Sequence, residues 1–167
     1  LGQREGLLKQ QWQARGPGIC RWLSQFPLLN DGEDTSPVKI ATTLPIFGGA
    51  AWPIPNRTGT VVEAVLFDPV PSLPEVLRIA QSLIRSRLES RWNQTDSSLA
   101  LTVASTLALA AGMHVELATF DSSTLEQAIQ CWACPGENIG AAKKRLESEK
   151  IPDVDAIRRW LESVWPT

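Results

Sequence analysis

The sequence predicts an α+β or α/β fold in which a small mixed sheet of three to four strands is flanked by about six helices. Three observations predict it. Residues 60–67 form a near-continuous apolar run, as in a strand covered on both faces. Residues 38–47 alternate apolar and polar side chains, as a half-buried strand does. Elsewhere apolar residues recur with helical spacing, most clearly between residues 73 and 92.

The N-terminal part of the chain is predicted to contain two helices, over residues 3–14 and 18–26. The sequence Gly16-Pro17-Gly18 lies between them. Glycine and proline are the two residue types that most often end a helix, so we expect the chain to change direction there.

The first strand, over residues 38–47, contains Pro45 and is therefore predicted to lie at an edge of the sheet or to carry a bulge. A loop is expected over residues 50–58. The third strand is predicted over residues 114–120, where apolar and polar residues alternate. The connection that leads to it, residues 68–113, is long enough for a right-handed parallel crossover.

A long helix is predicted over residues 73–92, with Ser72 as its N-cap and Glu75 completing a capping box. One side of this helix is apolar and is expected to face the core. The opposite side, predicted to be exposed, carries Glu75, Arg78, Ser82, Arg85 and Glu89.

Residues 97–112 carry no charge and are rich in leucine and alanine, which predicts a helix buried on most sides. The run is too short and too polar for a membrane span, and Gly112 is expected to end it. Beyond it, Asp121 or Ser122 is the expected N-cap of the next helix. Three further helices are predicted, over residues 123–132, 138–149 and 153–164.

The composition is that of one soluble globular domain, since 43% of the 167 residues are hydrophobic, 20% are charged and the net charge is −2. So small a charge does not steer the protein toward nucleic acid or an anionic membrane. Three cysteines are too few for the disulfide framework of a secreted domain, so a cytoplasmic location is expected. We expect a single domain over residues 1–167 from the length of the chain. Because the chain begins with Leu1, this domain could be excised from a longer chain.

Two thiols, Cys131 and Cys134, have the spacing that allows a mutual disulfide or joint ligation of a metal ion. The pair falls at the C-terminal end of a predicted helix, where the helix dipole disfavours a thiolate. A zinc site would also need Cys20 and His114. Redox or metal chemistry is thus an alternative to simple packing of both thiols, and no cofactor or resident metal is expected.

Two acidic residues, Asp68 and Asp121, each follow directly after a predicted strand. If these strands are parallel neighbours, both carboxylates emerge at the sheet edge where α/β proteins bind ligands, and they could hold Mg²⁺. The alternative is local, because Asp68 precedes a proline-rich turn and Asp121 can cap a helix. An enzyme with an acidic, metal-dependent site at this edge is one alternative function.

Basic residues cluster near the C-terminus, and the two predicted helices that carry them could resemble a helix-turn-helix. Acidic residues lie between the basic ones and would repel phosphate, so nucleic-acid binding is a second alternative that is not favoured. The residues concerned are Lys143, Lys144, Arg145, Arg158 and Arg159.

The favoured interpretation is a non-catalytic module for protein–protein interaction, with a regulatory or assembly role. The chain has no evident catalytic constellation, and it has seven tryptophans. Trp160 and Trp165 are the expected anchors, because buried tryptophan is enriched at interface hot spots. The expected partner is another protein or another domain of the same chain. No binding to a membrane is expected.

Overall fold

The computed structural model describes residues 2–26, 29, 39–43, 51–54, 59–63, 72–91, 97–149 and 159. Within these ranges the protein has five helices and a mixed sheet of three strands, which confirms the predicted α+β class. In chain order the elements are α1 (Gly2–Leu23), β1 (Lys39–Thr43), β2 (Ala51–Pro53), β3 (Gly59–Glu63), α2 (Glu75–Arg91), α3 (Ser97–His114), α4 (Ser122–Trp132) and α5 (Ile139–Glu149).

The sheet has the order β1-β3-β2, so β3 is the central strand, which agrees with a strand predicted to be covered on both faces. β1 runs parallel to β3, with Lys39 opposite Gly59. β2 runs antiparallel to β3, with Ala51 opposite Val62. β2 lies in the segment predicted to be a loop. That prediction was wrong because a strand of three residues is too short to show an alternating pattern.

The third predicted strand does not form, because α3 continues through His114. The residues after it close the helix. Glu116 has a φ of 59°, and the N–H of Leu117 donates to the carbonyl of Gly112 at 2.8 Å. The N–H of Glu116 donates to Met113 at 3.0 Å, which completes a Schellman motif. The helix therefore ends after His114, in a turn closed at Glu116 and not at Gly112, and the predicted parallel crossover was wrong because the third strand is missing.

The first helix, α1, is continuous, so the predicted break at Gly16-Pro17-Gly18 was wrong. The two glycines of this segment permit close contacts. A Cβ on Gly16 would lie 2.8 Å from the ring of Trp12, and a Cβ on Gly18 would lie 2.9 Å from the side chain of Val115. Pro17 has no N–H to donate within the helix. A local contact at Gly16 and tertiary packing of Val115 on Gly18 therefore accompany a helix that continues despite the local preference for a break.

The central helix, α2, is buried or half-buried at every residue from Glu75 to Leu88. Leu77 belongs to the main apolar cluster, together with Leu107 of α3. Ile79 belongs to a second, smaller cluster, together with Val62 of β3. On the side predicted to be exposed, Glu75, Arg78, Ser82 and Arg85 are buried, and nothing is described of the Glu89 side chain. That prediction was wrong because α2 lies between the sheet and α3, where no side of a helix is left to solvent.

The uncharged helix, α3, is buried as predicted. The helix is long and apolar enough to cross a bilayer by length and composition, so the prediction that it is too short and too polar was wrong, but 78% of that span is buried inside the protein. All residues from Ala100 to Gly112 are buried. Burial against the other helices therefore accounts for its composition.

The last two described helices begin where the sequence predicts. The Asp121 carboxylate accepts the N–H of Thr124 at 2.8 Å, which confirms it as the N-cap of α4. Asn138 caps α5 in the same way by accepting the N–H of Ala141 at 2.9 Å. The hydroxyl of Ser72, by contrast, lies 3.4 Å from a side chain of α4, so the predicted capping box of α2 is not formed.

Replacing Gly112 with alanine should destabilise the protein by about 1–3 kcal/mol, although alanine is the better helix former. The added Cβ would lie 2.7 Å from Leu77 in the main core. Gly6→Ala is the matched control, because no atom lies within 4 Å of its Cβ position. Gly6→Ala should stabilise the protein by up to about 1 kcal/mol. Urea unfolding of both variants measures this, and a stabilising Gly112→Ala would contradict the close packing of α2 on α3.

Candidate functional site

One side of α2 presents a row of polar side chains to the protein interior. We call it the polar arc, and it consists of Glu75, Arg78, Ser82 and Arg85, which recur at helical spacing. These residues are between 0% and 7% exposed. Charged groups so far from water are stable only when other charges or hydrogen bonds compensate them. Among the described residues, the polar arc is therefore where the stability of the fold depends most on the partners of charged groups.

The polar arc contacts the sheet through a pair of hydroxyls. The Thr60 hydroxyl lies 2.6 Å from the Ser82 hydroxyl and 3.1 Å from the carbonyl oxygen of Trp52. Thr60 and Ser82 are both fully buried. Their hydrogen bond fixes the position of α2 relative to β3 and β2.

The guanidinium of Arg85 lies at the end of the polar arc and bridges two side chains. Its Nη2 lies 2.6 Å from Oε1 of Glu137, and its Nη1 lies 3.4 Å from Sγ of Cys134. The side chains of the ion pair are only 8% and 7% exposed. We call Arg85, Cys134 and Glu137 the Arg85 cluster. It places a cation, an anion and a thiol within contact distance of one another.

The turn between α4 and α5 supplies two members of the Arg85 cluster. In Cys134-Pro135-Gly136-Glu137 the N–H of Glu137 donates to the carbonyl of Cys134 at 3.1 Å, and Gly136 has a φ of 89°. Proline followed by glycine with positive φ is the sequence of a type II turn. The carboxylate of Glu137 also accepts the N–H of Cys134. The turn thus directs Glu137 both to its own first residue and to Arg85.

The sulfur of Cys134 lies where three elements meet. It contacts Arg85 of α2, and it lies 3.8 Å from the carbonyl oxygen of Ala51 in β2. Cys134 is half-buried and follows Ala133, the C-cap of α4. The pair with Cys131 does fall at the C-terminal end of a helix. Nη1 of Arg85 nevertheless lies 3.4 Å from the sulfur, and a guanidinium there favours a thiolate, whereas the Glu137 carboxylate that accepts the Cys134 N–H opposes one.

Neither Cys131 nor Cys134 is in a disulfide, and both are half-buried. In the described part of the chain, no three His, Cys, Asp or Glu residues come close enough to hold a metal ion. The structure therefore does not bring Cys20 and His114 together with the pair as zinc ligands. Redox chemistry is the alternative for Cys131 and Cys134 that the geometry leaves in place.

The third cysteine, Cys20, lies on α1 and has different electrostatics. Burial of its thiol raises its pKa, and the charge of Arg87 lowers it to a smaller extent. The net effect is a raised pKa, although the residue as a whole is exposed. Cys20 is consequently the less nucleophilic type of thiol.

The predicted acidic pair is not supported at Asp121, because no strand precedes this residue. Asp121 is the exposed N-cap of α4, and hydrogen bonds from Thr124 lower its pKa. Asp68 lies outside the described residues. The local alternative, in which Asp121 caps a helix, is therefore confirmed.

The other predicted site residues are only partly described. Trp160, Trp165 and Arg158 lie outside the described residues, and so does the helix predicted over residues 153–164 apart from Arg159, which is exposed. Nothing is described of the Arg145 side chain on α5. Lys144 is exposed, and Nζ of Lys143 lies 3.4 Å from Oε1 of Gln130.

A groove lies between the N-terminal half of α1 and the edge strand β1. We call it the α1–β1 groove, and its volume is about 340 Å³. Leu8 is buried at its floor, beside the half-buried Trp12 and Ile40. Its lining includes one acidic residue, Glu5, and one basic residue, Lys9. The lining residues are Glu5, Leu8, Lys9, Trp12, Gln13, Ile40 and Thr42.

No protein-family model matches the chain, and no curated protein or solved structure is significantly similar to it. The case for its function therefore depends on the Arg85 cluster and the α1–β1 groove.

Sequence reasoning missed both features. The turn is signalled by the sequence Cys134-Pro135-Gly136-Glu137. Arg85, however, lies 49 residues from Cys134 in sequence, on the side of α2 that is predicted to be exposed. The groove is formed by two elements whose proximity no local pattern shows.

Replacing Glu137 with glutamine should destabilise the protein by about 3–5 kcal/mol, because it leaves the buried Arg85 without its carboxylate. Arg85→Met should have a similar effect for the complementary reason. The double variant should cost clearly less than the sum of the two, since it leaves no lone charge. Urea unfolding gives all three free energies, and strictly additive values would contradict a direct pair.

Asp121→Asn should lower the stability at neutral pH, with a decrease of a few degrees in the unfolding midpoint. The lowered pKa of Asp121 means that its charge stabilises the fold above the unfolded-state pKa. This contribution is lost as the pH falls through the folded-state pKa. Wild type and Asp121→Asn should therefore converge in strong acid, whereas Asp121→Ala, which also removes the cap, should stay below both. Calorimetry across the acid range checks this, and a constant gap for Asp121→Asn would contradict it.

Proposed function

We propose that this protein is a non-catalytic interaction module, with a regulatory or assembly role, that binds an extended segment of another protein in the α1–β1 groove. The observation that carries the proposal is a groove of mixed lining, in which Leu8, Trp12 and Ile40 are the apolar side chains, directly beside the edge of a sheet. A cytoplasmic setting, inferred from the cysteine usage, belongs to the same proposal.

The edge of β1 supplies the first contact. β3 pairs with one side of β1, and in the described ranges no strand pairs with the other. An edge strand carries a row of backbone donors and acceptors that can pair with an incoming strand. Addition of an extended peptide to such an edge is an established mode of peptide recognition.

The side chains of the groove supply specificity. Ile40 and Thr42 are two residues apart on β1 and both line the groove, so both lie on the same face of the strand. An added strand would direct every second side chain toward Leu8 and Trp12. Glu5 and Lys9 balance each other in charge, which disfavours a polyanion such as nucleic acid. The partner segment we infer is therefore extended, with apolar side chains at alternate positions.

Selection of random peptides displayed on phage provides the test. Enriched peptides should have apolar residues at alternate positions, and a fluorescently labelled synthetic copy should bind wild-type protein in an anisotropy titration. Thr42→Lys fills the groove with a long charged side chain and should weaken binding roughly tenfold or more. Gln10→Lys is the matched control, because Gln10 is exposed on α1 and does not line the groove. Gln10→Lys should leave the affinity unchanged.

A second measurement separates strand addition from simple apolar contact. N-methylation of alternate peptide bonds in the selected peptide removes N–H donors and retains the side chains. The methylated peptide that loses the donors facing β1 should no longer bind. Equal affinity of the two lysine variants, or undiminished binding of every methylated peptide, would show that the groove is not the docking site.

A further inference from the structure

The Arg85 cluster has the parts of a thiol–disulfide exchange site. We propose that Cys134 is the attacking thiol of a redox-active pair, that Cys131 resolves the mixed disulfide, and that the oxidant is a low-molecular-weight disulfide of the glutathione type. This inference is independent of peptide binding in the α1–β1 groove.

The attacking role falls to Cys134 because of its surroundings. A thiolate is the reactive form of cysteine, and an adjacent cation stabilises it. Nη1 of Arg85 lies 3.4 Å from the sulfur of Cys134. Glu137 binds Nη2 of the same guanidinium at 2.6 Å and so fixes its orientation toward the sulfur. Cys134 is half-buried, so part of the residue is in contact with solvent.

The resolving role falls to Cys131 because of its position. It lies in the last turn of α4, three residues before Cys134 and on the same side of the Pro135 turn. It is half-buried against the main apolar cluster. Cysteines at this spacing close a disulfide ring by a small movement of the residue beyond the helix end. The movement takes the sulfur of Cys134 away from Arg85.

The exchange balances in two steps. The thiolate of Cys134 attacks one sulfur of glutathione disulfide, the bond between the two glutathione sulfurs breaks, and one glutathione thiolate leaves and takes a proton from water. Cys131 then gives its proton to water, and its sulfur attacks the sulfur of Cys134. The mixed disulfide breaks and the second glutathione thiolate leaves. The two cysteines lose two electrons, and glutathione disulfide gains them.

Reaction of the full chain with glutathione disulfide, followed by peptide mass spectrometry, tests the proposal. Wild-type protein should lose two hydrogens between Cys131 and Cys134 and retain no adduct there. Cys131→Ser should instead accumulate one glutathionyl group on Cys134. Cys20 is the internal control, because its raised pKa should make it react more slowly in the same molecule.

The role of Arg85 is tested by the dependence of the rate on pH. Arg85→Gln should react roughly tenfold more slowly at neutral pH and require higher pH for half-maximal rate, because the cation beside the sulfur is lost. Arg85→Lys should recover part of the rate, and it serves where Arg85→Gln does not fold, as judged by circular dichroism. The proposal is overturned if Cys134 reacts no faster than Cys20, if wild type keeps the adduct on Cys134, or if the pH profile of the folded Arg85 variant matches wild type.

Discussion

Burial of the Arg85 guanidinium is the constraint on which much of the described structure depends. A guanidinium at this depth must have an anion and acceptors close by, because water cannot solvate it. Glu137 supplies the anion, with its Oε1 2.6 Å from Nη2 of Arg85. The turn after α4 places Glu137 in this position. The same turn places Cys134 against Arg85 and β2. One buried charge thus fixes where α4, α5, α2 and the sheet meet.

The parts of the fold that the sequence predicts are those determined by local chemistry. The uncharged run of α3, the Asp121 cap of α4 and the central position of β3 follow from residues adjacent in sequence. The elements that it mispredicts depend on distant contacts. α1 crosses Gly16-Pro17-Gly18, where Val115, from the segment after α3, packs on Gly18. Charge alone marked the polar arc as exposed, whereas the position of α2 between two layers buries it.

The candidate sites divide in the same way. The Cys131 and Cys134 pair is visible in the sequence, but the charge that gives Cys134 its character comes from another helix. The residues next to the pair in sequence show only that it lies at the C-terminal end of a helix. The helix dipole there disfavours a thiolate, whereas the charge of Arg85 favours one. The α1–β1 groove has no sequence signal of its own, because Leu8, Trp12 and Ile40 each read as ordinary core residues. Sites built between elements become visible only when the elements are placed.

The continuity of α1 across Pro17 has a mechanical consequence. Leu8, in its N-terminal half, belongs to the second apolar cluster, whereas Ile19, in its C-terminal half, belongs to the main one. Between them Pro17 removes one hydrogen bond, and the Trp12 indole lies against Gly16. α1 is thus weakest at this turn, which separates its N-terminal half from its C-terminal half. A bend at this turn would change the width of the α1–β1 groove, because Leu8 and Trp12, which line it, lie on the N-terminal side of Pro17.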